Sequence, residues 1–250
     1  MVKPFFRRVA AILVSAMLLT VNVGIPTAAG LPVEQTHPAA NAAPIVALTF
    51  DDGPSAKYTG KILDVLEANG AKATFFVIGR NIADNADALV RARQMGCEIG
   101  NHTYDHKKLS ALSAEGITRQ LQKADEAIRG ILGFRPSLVR APCGRCTKST
   151  CTHIDRPIIL WSIDTEDWRC ATKRNGPGVQ DKDIIIRRVA EHAQDGDIIL
   201  MHDIYSLTAD CVSEIVPALI AKGFRLVTVS ELMRSHGIEL QAGQIYHNAR

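Results

Sequence analysis

The stretch VALTFDDGPSAKY, residues 46–58, decides how the rest of the chain is read. An apolar, β-branched run ends there in two adjacent aspartates, Asp51 and Asp52, and then a Gly-Pro turn. Successive side chains of an extended segment point to opposite sides. The two carboxylates, which repel, therefore leave a buried strand in different directions. A solvated pair in a polar turn is the plain explanation. The chemical one divides the labour: one carboxylate holds a cation while the other handles a proton.

Comparable runs recur at 45–50, 73–79, 97–103, 138–142, 158–163, 197–202 and 225–232. Helix-patterned stretches lie between most of them. Ile62, Leu63, Val65 and Leu66 share one face of a segment that stops at Gly70, and Ser113 is placed to cap a helix that ends at Gly133. Two further helical stretches close at Gly196 and Gly223. Strands alternating with helices predict a parallel sheet covered on both faces. Seven such units predict an α/β barrel rather than an open sheet. Residues 143–157, rich in cysteine, replace one helix by a loop, and 237–250 read as a C-terminal tail.

Residues 1–29 carry Lys3, Arg7 and Arg8, then an apolar run and small residues, the layout of a secretory signal peptide. An uncleaved anchor is the rival, against which the apolar core is short for a span. Residues 30–43, with two prolines and four alanines, read as a linker. Removing the three leader cations takes the formal charge from +3 to zero. The basicity belongs to the leader, so no nucleic-acid partner is expected, and with no second apolar span in the sequence no membrane span is expected in the mature chain. The protein is read as a monomer, secreted or held in the cell envelope. In that compartment the six cysteines, Cys97, Cys143, Cys146, Cys151, Cys170 and Cys211, favour disulfides. A structural zinc among Cys143, Cys146, Cys151 and Cys170 stays open, as does any pairing. Cys97, in an apolar stretch, reads as a buried thiol.

The polar interruptions fall at the C-terminal ends of the runs: Asp51 and Asp52, His102 and His106, Arg140, Asp164 and Asp167, His202 and Asp203. That end carries the site in parallel α/β folds. A His-x-x-x-His pair alone is more often surface than metal site, but these signals arrive together and in register. His37, His153, His192, His236 and His247 belong to no such group.

Five motifs in order, TFDDGP (49–54), HTYDH (102–106), RAPCG (140–144), DTEDW (164–168) and ILMH (199–202), resemble those of the polysaccharide deacetylase (NodB-homology) carbohydrate esterases. The resemblance spans about 44–236 and implies an α/β fold, a distorted (β/α)7-type barrel, as a single catalytic domain over those residues. It implies a metal-dependent hydrolase that removes acetyl groups from sugars. Asp52, His102 and His106 would hold a divalent metal, zinc first, with cobalt or nickel as alternatives. Three protein ligands with one open position suit a hydrolytic metal. By the same resemblance Asp51 is the general base, Arg140 orients it, and His202 is the general acid held by Asp167. A backbone N–H near Cys143 would stabilise the oxyanion, and Trp168 and Leu200 would line the acetyl pocket. Cys143 stands where the family often has an aromatic, which bears on the substrate. The expectation is N-deacetylation of an N-acetylglucosamine polymer, peptidoglycan before a chitin-like chain. An O-acetyl xylan esterase and a catalytically silent sugar-binding module are the alternatives.

Overall fold

In the computed structural model, residues 43–172 and 179–250 are described. The expected signal peptide at 1–29 and, Ala43 apart, the expected linker lie outside them. The elements run β1 (Ile45–Asp51), α1 (Thr59–Ala68), β2 (Thr74–Val77), α2 (Ala86–Gln94), β3 (Glu98–Asn101) and α3 (Ala114–Leu132). After α4 (Lys148–Cys151) come β4 (Ile158–Ile159), β5 (Ile163–Asp164), α5 (Asp167–Ala171), α6 (Val179–His192) and β6 (Ile198–His202). The chain finishes with α7 (Ser206–Ala221), β7 (Arg225–Leu226), α8 (Val229–Ser235) and β8 (Ile245–Tyr246).

β1 is buried at all positions, which explains its unbroken apolar run. It sits mid-sheet in the order β3-β2-β1-β6-β5, with every ladder parallel and β7 beside its first residues. Alternation along β1 then sorts its side chains. Val46, Leu48 and Phe50 join the outer core with Ile62 and Leu66 of α1 and Ile215 and Leu219 of α7. Ile45 and Ala47 pack in the inner cluster with Phe76, Ile159 and Ile198. Thr49 and Asp51 continue that inner row. Full burial of a residue such as Leu48 or Phe50 is worth about 1.5–3 kcal/mol, and a one-residue register slip, which would swap this row with the inner one that carries Thr49 and Asp51, is disfavoured.

The ring closes through single bridges. Val139 bridges Asn101 on one side and Ile158 on the other, β4 pairs with β8, and Asn248 bridges Asp197 beside β6. The result is the distorted α/β barrel that the alternation predicts. Three runs differ in detail from expectation. The run 138–142 forms bridges at Val139 rather than a ladder, because the chain turns tightly at Pro142–Gly144. The run 158–163 splits into β4 and β5, which take different partners. The run 225–232 is strand only at its start: Thr228 and Glu231 form a capping box that opens α8, a local signal stronger than the β-branched content. Residues 237–250, read as a tail, supply β8 and the buried Ala249.

A disulfide joins Cys146 and Cys151 within the Cys-rich loop. Cys97 and Cys211 are buried thiols and Cys143 an exposed one. Among the described residues no helix is long and apolar enough to cross a membrane.

Candidate active site and metal centre

Two tight turns bring Asp52, His102 and His106 together. Asp52 leaves β1 with φ 74, and the Asn81 side chain donates to its carbonyl at 2.8 Å. The next residue must be glycine, since a Cβ at Gly53 would lie 2.2 Å from the buried Asp203 carboxylate. The second turn starts at Asn101, whose Oδ1 accepts the Thr103 amide at 2.7 Å. Thr103 and His106 have φ 68 and 61, and the Thr103 hydroxyl accepts the His106 amide at 3.1 Å.

His102 is buried, with Nδ1 2.8 Å from the Arg140 carbonyl. A carbonyl only accepts, so Nδ1 carries a proton. Burial opposes a second one, but Asp51 and Asp52 outweigh it and raise the imidazole in the metal-free site. Once Nε2 gives up its proton, the same bond fixes a metal-ligating tautomer. That Nε2 lies 3.5 Å from Asp52 Oδ1, and His106 Nε2 lies 3.2 Å from the same oxygen. One ligand atom from each residue falls within 4.8 Å of the others. Bonds of zinc type in a tetrahedral site place ligand atoms about 3.3 Å apart. Asp52 Oδ1 is buried without a hydrogen-bond partner, an expensive state unless a cation takes the lone pair. The residues fit a divalent metal. Burial alone would raise the Asp52 carboxyl, but His102, His106 and His202 outweigh it and hold it at about 2. Burial, with His102 as a like charge, keeps His106 below the usual imidazole range despite Asp52. A carboxylate beside a neutral imidazole is the form in which these groups ligate.

Arg140 is fully buried beneath Asp51. Its NH1 donates to Asp51 Oδ1 at 2.7 Å and Thr49 Oγ1 at 2.8 Å, its Nε to the Ile159 carbonyl and its NH2 to the Leu160 carbonyl. The guanidinium lies over Phe76, 4.1 Å from the ring centre. Asp51 Oδ2 is 3.7 Å from His102 Nε2, so the base candidate borders the metal ligands and is anchored from behind.

His202 is the ladder neighbour of Asp51. Its Nδ1 is 2.8 Å from Asp167 Oδ1, while Asp167 Oδ2 accepts the His202 amide at 2.8 Å and the Thr208 hydroxyl at 2.6 Å. Asp167 is fully buried. Burial opposes the imidazolium, but Asp167, then Asp51 and Asp52, outweigh it and push His202 up to about 9. A stability dependence follows for metal-free protein. The folded pKa is raised above the unfolded value of about 6.5, so this contribution is complete below that pH and disappears as pH rises through about 9. At about 1.4 kcal/mol per pH unit it amounts to on the order of 3 kcal/mol. Urea unfolding in chelator across pH 6–10 should show that fall, and Asp167→Asn should remove most of it. A wild-type profile that stays flat would rule the pairing out.

The remaining sequence-predicted residues are Cys143, Trp168 and Leu200. Cys143 is exposed at φ 60, in a turn whose amides at Gly144 and Arg145 return to Ala141 and Pro142. Trp168, beside Asp167, is 42% exposed, which is not core packing, whereas Leu200 is 3% exposed opposite Thr49 in the ladder. Sequence reasoning passed over Thr49, Asn101, Asp125 and Thr208. Asp125 of α3 accepts from Asn101 Nδ2 and from Arg156 NH1, both at 2.7 Å, and so braces the histidine turn. Thr49 lies inside the first motif, a signal within reach; Asp125 and Thr208 lie in helices with nothing to single them out.

The barrel thus carries an Asp-His-His cluster that could hold a metal ion, beside a clamped aspartate, and comparison with known proteins gives the family. The family model described as polysaccharide deacetylase matches residues 39–156. The peptidoglycan-N-acetylglucosamine deacetylase PgdA of Listeria monocytogenes is 36% identical over 201 residues, 80% of this chain and 41% of that protein. This chain thus spans less than half the length of that relative. A solved structure described as T48 deacetylase with substrate is 38% identical with TM-score 0.74, covering 82% of this chain and 96% of that one. A family 4 acetyl xylan esterase from Clostridium thermocellum, solved with a cobalt ion, is 27% identical with TM-score 0.74, covering 82% and 98%. The chain belongs to the polysaccharide deacetylase family.

Proposed function

We propose that the protein is a metal-dependent deacetylase that hydrolyses N-acetyl groups of an N-acetylglucosamine-containing polysaccharide, with peptidoglycan as the polymer. The observation that carries this reading is the juxtaposition of an unsatisfied Asp52 oxygen, two imidazole Nε2 atoms and a buried Asp51–Arg140 pair. Asp52, His102 and His106 would hold a divalent ion, zinc by donor type with cobalt or nickel as substitutes, supplying Lewis acidity and making water acidic enough to attack. Asp51 accepts the proton of the attacking water, and Arg140 keeps that carboxylate fixed. The Cys143 amide donates to the oxyanion that develops on the acetyl carbonyl. An amide nitrogen leaves only when protonated. His202, charged through Asp167, gives it that proton. Trp168 and Leu200 border the acetyl methyl. Residues 1–29 act as export signal and 30–43 as linker to a domain beginning at 44, which places the monomeric enzyme at its substrate outside the membrane.

The likeness to an acetyl xylan esterase supports a second reading, ester cleavage on the same site. An alkoxide leaves more easily than an amide anion, so loss of His202 should harm ester cleavage less. The test is acetate release from chitopentaose and purified peptidoglycan by protein stripped with chelator and reloaded with zinc or cobalt. Metal-dependent release supports the deacetylase. Release from acetylated xylan alone selects the esterase, and binding without release selects a silent sugar binder.

A further inference from the structure

Asp203 is a buried carboxylate that the mechanism leaves idle. It follows His202 at the end of β6 and is 1% exposed. Its Oδ1 has no hydrogen-bond partner. It caps no helix either, since α7 starts behind Tyr205 without a side-chain cap. Burial pushes its carboxyl up to about 7; the Thr59 hydroxyl opposes the rise, and Asp52 and Asp51 add to it as like charges. Such a group costs stability, and departures from a satisfied core are expected at functional sites.

What Asp203 touches is the turn that carries Asp52. Its Oδ2 accepts the Thr59 hydroxyl at 2.5 Å, and the Thr59 oxygen accepts the Ser55 amide at 2.7 Å. Thr59, at the start of α1, is itself buried. The same carboxylate fills the space where a side chain on Gly53 would begin, 2.2 Å from the Cβ position. One acid therefore meets the turn directly at Gly53 and, through a single hydroxyl, at Ser55.

Asp52 needs such restraint. Its φ of 74 is a left-handed conformation, strained for a residue with a Cβ and kept only where the surroundings impose it. Two restraints come from the segment after β2: the Asn81 side chain donates to the Asp52 carbonyl at 2.8 Å, and the Ile78 amide to the Gly53 carbonyl at 2.9 Å. β1 lies between β2 and β6. Asp203 restrains the turn from the other flank, beside the residue that supplies the candidate general acid.

We propose that Asp203 is a positioning residue: through Thr59 and Gly53 it fastens the turn that presents Asp52 to the metal onto the strand end that presents His202. This rests on the metal-site reading above and deepens it. Without the link Asp52 is held from one flank only, and its Oδ1 loses its place against the Nε2 atoms of His102 and His106, 3.5 and 3.2 Å away. Removing a partner behind a metal ligand typically lowers metal affinity about 10–100-fold.

The test uses the full chain with two substitutions, Thr59→Val, which deletes the hydroxyl, and Thr59→Ser, which keeps it. Thr59→Ala takes the place of the first if that variant does not fold. Zinc affinity is read by chelator competition on protein that urea unfolding shows to be folded. Thr59→Val should bind zinc about 10–100-fold more weakly than wild type, and Thr59→Ser should stay near wild type. A Thr59→Val protein that unfolds more easily yet binds zinc as wild type does would overturn the proposal, as would equal losses in both variants. A folded wild type that binds no zinc would instead defeat the metal reading. Hydrogen exchange on chelator-stripped protein then decides the link. The Ile78 amide should exchange faster in Thr59→Val than in wild type, with the amides of β3 unchanged. Unaltered exchange at Ile78, or protection lost evenly across the sheet, refutes the link.

Discussion

Asp51→Asn is expected to lower kcat for acetate release by about 10²–10⁴-fold, the usual worth of a positioned proton acceptor. The substitution keeps the shape and a hydrogen-bonding oxygen for Arg140 NH1, which lies 2.7 Å from Oδ1. What it removes is the basic lone pair and the charge. The three candidate ligands, with Asp52 Oδ1 as their shared oxygen, stay intact, so zinc affinity measured by chelator competition should stay within about threefold of wild type. Two results would sink the assignment. A variant with half the wild-type kcat would mean that Asp51 takes no proton. A variant that loses its metal would move Asp51 into the ligand set.

The second large effect concerns stability. Arg140→Met retains an unbranched apolar stem over Phe76 but strips the guanidinium from Asp51, Thr49 and the carbonyls of Ile159 and Leu160. Asp51, 4% exposed, is then a buried carboxylate without a counter-ion. Breaking a buried pair from one side costs about 3–5 kcal/mol, chiefly from the charge left behind. A urea midpoint shifted by that amount is expected. The double variant Arg140→Met/Asp51→Asn should recover part of it, because the stranded charge is gone. A double variant at least as unstable as the sum of the singles would show that Arg140 acts mainly on its carbonyl partners and not on Asp51.

The architecture was legible where one physical signal dominated. The unbroken apolar runs at 45–50 and 197–202 can only be strands covered on both faces, and they became β1 and β6. Ser113 and Gly133 bracket α3 as cap residues should. The sequence misled where two signals competed. Residues 225–232 are rich in β-branched side chains, yet the hydroxyl of Thr228 and the carboxylate of Glu231 complete the first turn of a helix. In 158–163 the composition speaks for a single strand, but composition says nothing of partners, and the chain changes neighbours midway. The candidate centre was legible because its charged residues interrupt apolar runs at their ends. Its braces were not. Asp125 and Thr208 acquire meaning only when α3 and α7 pack against the barrel and bring them to Asn101 and Asp167.

The return of β8 sets an order of events. The Gln244 carbonyl accepts from Ile158, the Tyr246 carbonyl accepts from Leu160, and the carbonyls of Ile159 and Leu160 in turn receive Arg140. Every residue of the five motifs is therefore translated well before the segment that secures the backbone under Arg140. A nascent chain halted after α8 holds the whole chemical inventory without the support that aims Asp51. Assembly of this centre therefore waits on residues 244–246, which follow all five motifs in the chain.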